Sequence, residues 1–72
     1  MSISAINARN QFTGRISAIN FGDVLSEVDV ETPAGVVTAV VVTRSLNELG
    51  LHVGSDTLAL FKATGVSIAK IL

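Results

Sequence analysis

The sequence predicts an all-β domain with one short helix, and three observations predict it. Residues 24–31 alternate with a period of two, residues 36–42 form a β-branched apolar run, and helix punctuation is confined to residues 45–50. Alternation and β-branching belong to strands, whereas an amphipathic helix needs apolar residues three and four apart.

Residues 11–21 hold β-branched and apolar residues with Gly14 inside. Ile16 and Ile19 break strict alternation, so this first strand is expected to carry a bulge or a strong bend. Asn20-Phe21-Gly22-Asp23 then reads as a turn. In the second strand, Val24, Ser26, Val28 and Val30 alternate with Leu25, Glu27, Asp29 and Glu31, the mark of one buried and one solvated face. Thr32-Pro33-Ala34-Gly35 is a turn, because Pro33 presets φ and Gly35 tolerates any backbone angle at the exit. Residues 36–42 read as a strand covered on both faces, forming a hairpin with the second. Ser45-Leu46-Asn47-Glu48 has the spacing of a capping box. Leu46, Leu49 and Leu51 offer a short apolar stripe, and Gly50 suits a left-handed C-cap. Gly54-Ser55-Asp56 is another turn. Residues 57–62 and 66–71 read as the fourth and fifth strands, with Ala63-Thr64-Gly65 between them. Five strands with one helix after the third match an OB-like Greek-key barrel. A five-stranded SH3-like barrel is the rival. No repeat or linker divides residues 1–72, so one domain is expected.

A chain of 72 residues buries only a modest share of its surface and usually needs a further support. Disulfides are excluded by the absence of Cys, and one His cannot build a zinc site. Yet 49% of the residues are hydrophobic and the mean hydropathy is +0.60. That is more apolar surface than so small a core can bury, and it implies an oligomer with core-like interfaces. No apolar run approaches the roughly 18–20 residues that span a bilayer. The first residues lack a basic start and a long apolar run, so no signal peptide is expected and a cytoplasmic location is the default.

Five Lys and Arg stand against six Asp and Glu, with a net charge of −1. Nucleic-acid binders carry a basic surplus and, for single strands, aromatic platforms. Neither is present, with three Phe and no Trp or Tyr. Catalysis is poorly provided for. The lone His52 reads as a surface or packing residue, and Glu27, Asp29 and Glu31 read as a solvated strand face. The six glycines are scattered singly at turns and bends, so none forms a phosphate cradle. An enzyme is not expected.

Two segments remain. Asn7-Ala8-Arg9-Asn10 and Lys62-Ala63-Thr64 each set one cation among small residues and hydrogen-bond donors. By spacing alone they could be two surface cations. Their neighbours argue otherwise: small residues let backbone N–H groups approach a ligand, Arg adds a planar fork, and Lys adds a point charge.

At these positions the chain resembles the molbindins, the small molybdate-binding Mop proteins, whose domain recurs in molybdate regulators and importer ATPases. The matching segments are Ala8-Arg9-Asn10-Gln11-Phe12 with Gly14, Gly22 and Val24 with Glu27-Val28, Ser45 with Leu49-Gly50-Leu51 and Gly54, and Lys62-Ala63-Thr64 with Val66 and Ile68. The resemblance implies an OB-like barrel in a strand-exchanged homohexamer, a trimer of dimers. It implies molybdate or tungstate held at subunit interfaces by Asn7, Ala8, Arg9, Asn10, Lys62, Ala63 and Thr64, the first four from one chain and the rest from another. The family commonly has Ser where this chain has Asn7. A further oxyanion site near a symmetry axis is expected at Asn20 and Gly22. The function implied is intracellular molybdate storage and homeostasis, with small inorganic oxyanions and other copies of the chain as partners, and neither nucleic acid nor membrane. The alternatives are an OB-type nucleic-acid or protein interaction module, which would need a basic or aromatic strand face, and a structural oligomer with no ligand.

Overall fold

The computed structural model describes residues 9–71. Four strands make one antiparallel sheet in the order β3-β2-β1-β4: β1 (Asn10–Asn20), β2 (Leu25–Thr32), β3 (Gly35–Val42) and β4 (Asp56–Phe61). The helix α1 (Thr43–Leu49) follows the third strand, and a 3₁₀ turn spans Ala63–Gly65. This is the all-β, OB-like arrangement expected.

β1 is long because it serves two partners in succession. Its first half pairs with β4, from Asn10 opposite Phe61 to Arg15 opposite Asp56. Its second half pairs with β2, from Arg15 opposite Glu31 to Asn20 opposite Glu27. The register shifts between Ile16 and Ala18, so Ser17 is the extra residue of the expected bulge. A bulge bends and twists its strand, and here it turns β1 from one partner to the other. Gly14 sits just before that bend. A Cβ there would overlap the Glu31 carbonyl oxygen and lie 2.8 Å from Val30 Cγ1, so only glycine admits this approach of β1 to β2.

The inward face of β2 supplies Val28 and Val30 to a core completed by Ile16 and Leu46. Ile19, Val41, Leu51 and Ala59 pack around them. β2 starts one residue later than its alternation suggests, and Val24 is exposed. At its far end Thr32 organises the Pro33-Ala34 turn: its Oγ1 accepts from the Ala34 N–H at 3.1 Å and donates to the Gly35 carbonyl at 2.7 Å.

The expected capping box does not form. α1 begins at Thr43, with Val42 as its N-cap residue and no side-chain cap. The Thr43 N–H donates to the Val24 carbonyl at 2.8 Å, which starts the helix two residues before Ser45. Glu48 instead accepts from Arg44 Nε at 2.9 Å, an exposed i,i+4 pair. The other end agrees with expectation: Gly50 has φ of 67° and its N–H reaches the Asn47 carbonyl. Of the apolar stripe, Leu46 is buried and Leu51 half-buried, but Leu49 is exposed.

Two further expectations need correction. Residues 66–71 join no strand, and Ile68 and Ile71 are 92% and 93% exposed. A strand is made by its ladder, and after the Ala63–Gly65 turn the tail meets neither free edge of its own sheet. β3 is not covered on both faces either. Among the described residues it is an edge strand with β2 as its neighbour, and Val36, Val40 and Val42 stay exposed.

Leu46 is the only residue of α1 buried in the core. Leu46→Ala is therefore expected to cost about 2–5 kcal/mol, measured by chemical denaturation followed in the far-ultraviolet circular dichroism.

Candidate functional site

The β1–β4 ladder brings the described part of the first donor-rich segment, Arg9 and Asn10, to the same end of the sheet as the second. Asn10 and Phe61 form its last rung, so Arg9 and Lys62 are the next positions at the same end of the same sheet. The sequence separates them by 53 positions. The resemblance assigns them to different chains, yet one chain already carries both to one edge. Asn7 and Ala8 lie outside the described residues. Arg9, Lys62, Ala63 and Thr64 are exposed, and Asn10 is half-buried.

Charge pairing separates these cations from the two other arginines. Arg15 Nε lies 3.4 Å from Asp56 and Arg44 Nε 2.9 Å from Glu48. Among the described residues, Arg9 and Lys62 make no ion pair, so their charge is available to an anion. Backbone donors stand beside them. The 3₁₀ turn uses the N–H of Gly65, which donates to the Lys62 carbonyl at 2.9 Å, and that of Val66, which donates to the Ala63 carbonyl at 3.3 Å. It does not use those of Ala63 and Thr64, since the first N–H groups of such a turn have no partner inside it. With a guanidinium, an ammonium, a hydroxyl and an amide nearby, this edge can bind an oxyanion by donation from several directions.

His52 lies elsewhere, in the turn after α1, with Nδ1 2.9 Å from the Val53 carbonyl oxygen and its N–H bound to Ser55 Oγ. No group of acids, His or Cys able to hold a metal ion occurs among the described residues.

Asn20 and Gly22, the expected second site, border a cleft of about 310 Å³. Glu27 is also in its wall, and a carboxylate there works against an anion. Behind the cleft lies a hydroxyl relay that sequence reasoning missed. Thr43 Oγ1 donates to the Gly22 carbonyl at 2.8 Å. Its one proton is thereby used, so Ser26 Oγ is the donor in the 2.7 Å contact between the two hydroxyls. Ser26 in turn accepts from the Gly22 N–H at 3.4 Å. The signal was legible: Ser26 occupies an inward position of β2 beside Val28 and Val30, where a polar residue must find a partner.

The TOBE domain family matches residues 6–68. The chain therefore belongs to the TOBE domain family and, within it, to the molbindin (Mop) group. It is 45% identical over 62 residues to the molybdenum transport protein ModE of Herbaspirillum seropedicae, covering 83% of this chain but only 23% of that protein's length. It is 37% identical over 65 residues to molybdenum-pterin-binding protein 3 of Clostridium pasteurianum, covering 89% of this chain and 96% of that one. Among solved structures it resembles MopII from Clostridium pasteurianum, with a TM-score of 0.85 and 34% identity over 92% of this chain and all of that one. It also resembles the cytoplasmic molybdate-binding protein ModG, with a TM-score of 0.78 and 33% identity over 90% of this chain and 53% of that one. Among the described residues, no helix is long and apolar enough to cross a membrane.

The hydroxyl relay yields a double-variant test. Thr43→Val leaves the buried Ser26 hydroxyl without its acceptor and is expected to cost about 1–3 kcal/mol. Adding Ser26→Ala to it should cost little more, because the stranded hydroxyl is then gone. Urea denaturation of the two variants measures both.

Proposed function

We propose that this chain binds molybdate, and tungstate by the same chemistry, at the edge formed by Arg9, Asn10, Lys62, Ala63 and Thr64, with Asn7 and Ala8 continuing the site. The single observation that carries the reading is the arrival of the unpaired Arg9 and Lys62 at one end of the β1–β4 ladder. Similarity to a molybdate-binding protein and to molybdenum-pterin-binding proteins supports it.

Molybdate and tungstate are fully deprotonated at neutral pH. Phosphate keeps a proton and needs an acceptor to receive it. A cage of donors alone therefore favours the fully ionised anion, since a bound proton would face another donor. Sulfate is equally ionised, and a cage sized for the larger anion must reject it by fit. In this reading the chain serves molybdate storage and homeostasis and has no catalytic role. A cytoplasmic location is supported by the description of ModG as cytoplasmic.

One chain does not finish the cage. The donors are exposed to water, which screens them and competes for their hydrogen bonds. A second copy supplies the cover. Its residues 66–71, with Ile68 and Ile71 exposed, pair as the missing fifth strand, and Val36, Val40 and Val42 are covered in the same assembly. Repetition of this exchange gives the homohexamer, a trimer of dimers. An anion bridging two copies stabilises the assembly by mass action.

Equilibration with molybdate, desalting and elemental mass spectrometry should find metal retained per chain, with thermal stabilisation by molybdate. A ratio near zero without stabilisation overturns the reading. Arg9→Ala and Lys62→Ala each remove a charged donor and should weaken molybdate binding about 10- to 100-fold. Deleting residues 66–72 should reduce the assembly to smaller species in light scattering after size exclusion; an unchanged mass rejects the tail as the exchanged strand.

A further inference from the structure

The two halves of the proposed site stand at the ends of different elements. Arg9 and Asn10 stand where β1 starts, and Lys62 stands just beyond the end of β4. What places them side by side is the register between the two strands. Register is normally fixed by hydrophobic alternation, because a slip of one residue moves every inward side chain outward. β4 lacks that protection. Leu58 and Leu60 point to one face, Ala59 and Phe61 to the other, and both faces are apolar. The facing half of β1, Asn10 to Arg15, is mostly polar and offers little to match.

Two side-chain contacts between β1 and β4 can help to set it. Arg15 stands directly opposite Asp56 at one end, but both side chains are exposed, at 69% and 87%, and such a pair contributes little. At the other end Phe12 and Phe61 meet, with ring centroids 5.7 Å apart and planes inclined at 46°. Phe12 is opposite Ala59, and Asn10 is opposite Phe61, so the two rings form a diagonal pair across the last rungs. Both rings are half-buried on the face where Ala59 packs against the core. Tilted rings at this spacing attract one another beyond the area they bury. A slip of one residue would send Phe61 to the outer face and Lys62 to the inner one, out of step with Arg9.

We infer that Phe12 and Phe61 form a register clamp and are positioning residues for oxyanion binding, though neither touches the ligand. The inference rests on the molybdate reading above. It predicts a loss of affinity out of proportion to any loss of stability. In equilibrium dialysis of the full chain with sodium molybdate, Phe12→Leu and Phe61→Leu should each raise Kd about three- to tenfold. The double variant should be no weaker than the worse single one, because the rings act as a unit. Ile16→Val, a core variant remote from the ladder end, should lower Tm while changing Kd less than about twofold. Backbone nuclear Overhauser effects between positions 10 and 61 should be present in the parent and weakened in the Phe variants, with those between positions 15 and 56 retained. The clamp is overturned if Kd tracks Tm alike in all variants, or if the Phe variants keep parental Kd and parental 10–61 signals. A parent that binds no molybdate removes the molybdate reading, and the 10–61 signals then decide the clamp by themselves.

Discussion

The molecule depends on antiparallel pairing of β1 with two partners in turn. A straight strand would hold both neighbours along its whole length and leave a flatter sheet. Here the bulge at Ser17 and the close approach at Gly14 hand the strand from β4 to β2 within a few residues. The sheet bends over Ile16, Val28 and Val30, and Leu46 of α1 covers what the bend exposes. The same pairing delivers Arg9 to Lys62 at the far end of the ladder. Core and candidate site are thus consequences of one strand's hydrogen bonding. The site does not require a loop shaped for the purpose.

Size imposes a second constraint. Among the described residues, four hydrophobic side chains are buried while twelve large ones are exposed, including Val40, Leu49, Ile68 and Ile71. Burial contributes about 25 cal/mol per Å² of apolar area, so a core of four offsets little of the entropy lost in ordering the chain. Exposed apolar side chains on an edge strand and an unpaired tail are also an invitation to uncontrolled association. The proposed exchange with a second copy answers both problems with the same contacts. It also places cover over donors that one chain leaves in water.

The fold was legible where local chemistry decides. The alternation of β2, the Pro33 turn, the αL glycine at position 50 and the break in alternation around Ile16 each have a local cause, and each appears as expected. Errors arose where tertiary contacts override local preference. The Ser45–Glu48 spacing fits a capping box, but the Thr43 N–H is bound to the Val24 carbonyl across the fold, and the helix starts there. Residues 66–71 and the second face of β3 have strand-like composition, yet composition cannot say which chain supplies the partner. The site was legible as two donor-rich segments, since Arg9 and Lys62 sit among small and polar residues. Their adjacency was not, because it depends on a register that β4's two apolar faces do not encode. The Ser26–Thr43 relay was missed for a similar reason, as hydroxyls 17 residues apart meet only through the turn at Gly22.

By net charge alone, at −1, the chain is a poor host for an anion with two negative charges. The distribution of the charges removes the difficulty. Of the six acids, Glu48 and Asp56 are paired with arginines, and the other four, Asp23, Glu27, Asp29 and Glu31, all fall within residues 23–31. Glu31 stands opposite Arg15 and Glu27 opposite Asn20, five and ten residues along β1 from Asn10. At about 3.3 Å per residue those carboxylates lie roughly 15–30 Å along the strand from the ladder end. Screening at physiological salt acts over about 8 Å, so the acids barely register there. Arg9 and Lys62 flank the last rung of the ladder, and among the described residues no acid is paired to either. The length of β1 therefore has an electrostatic as well as a structural role: it separates the acidic half of the sheet from the edge proposed to receive the anion.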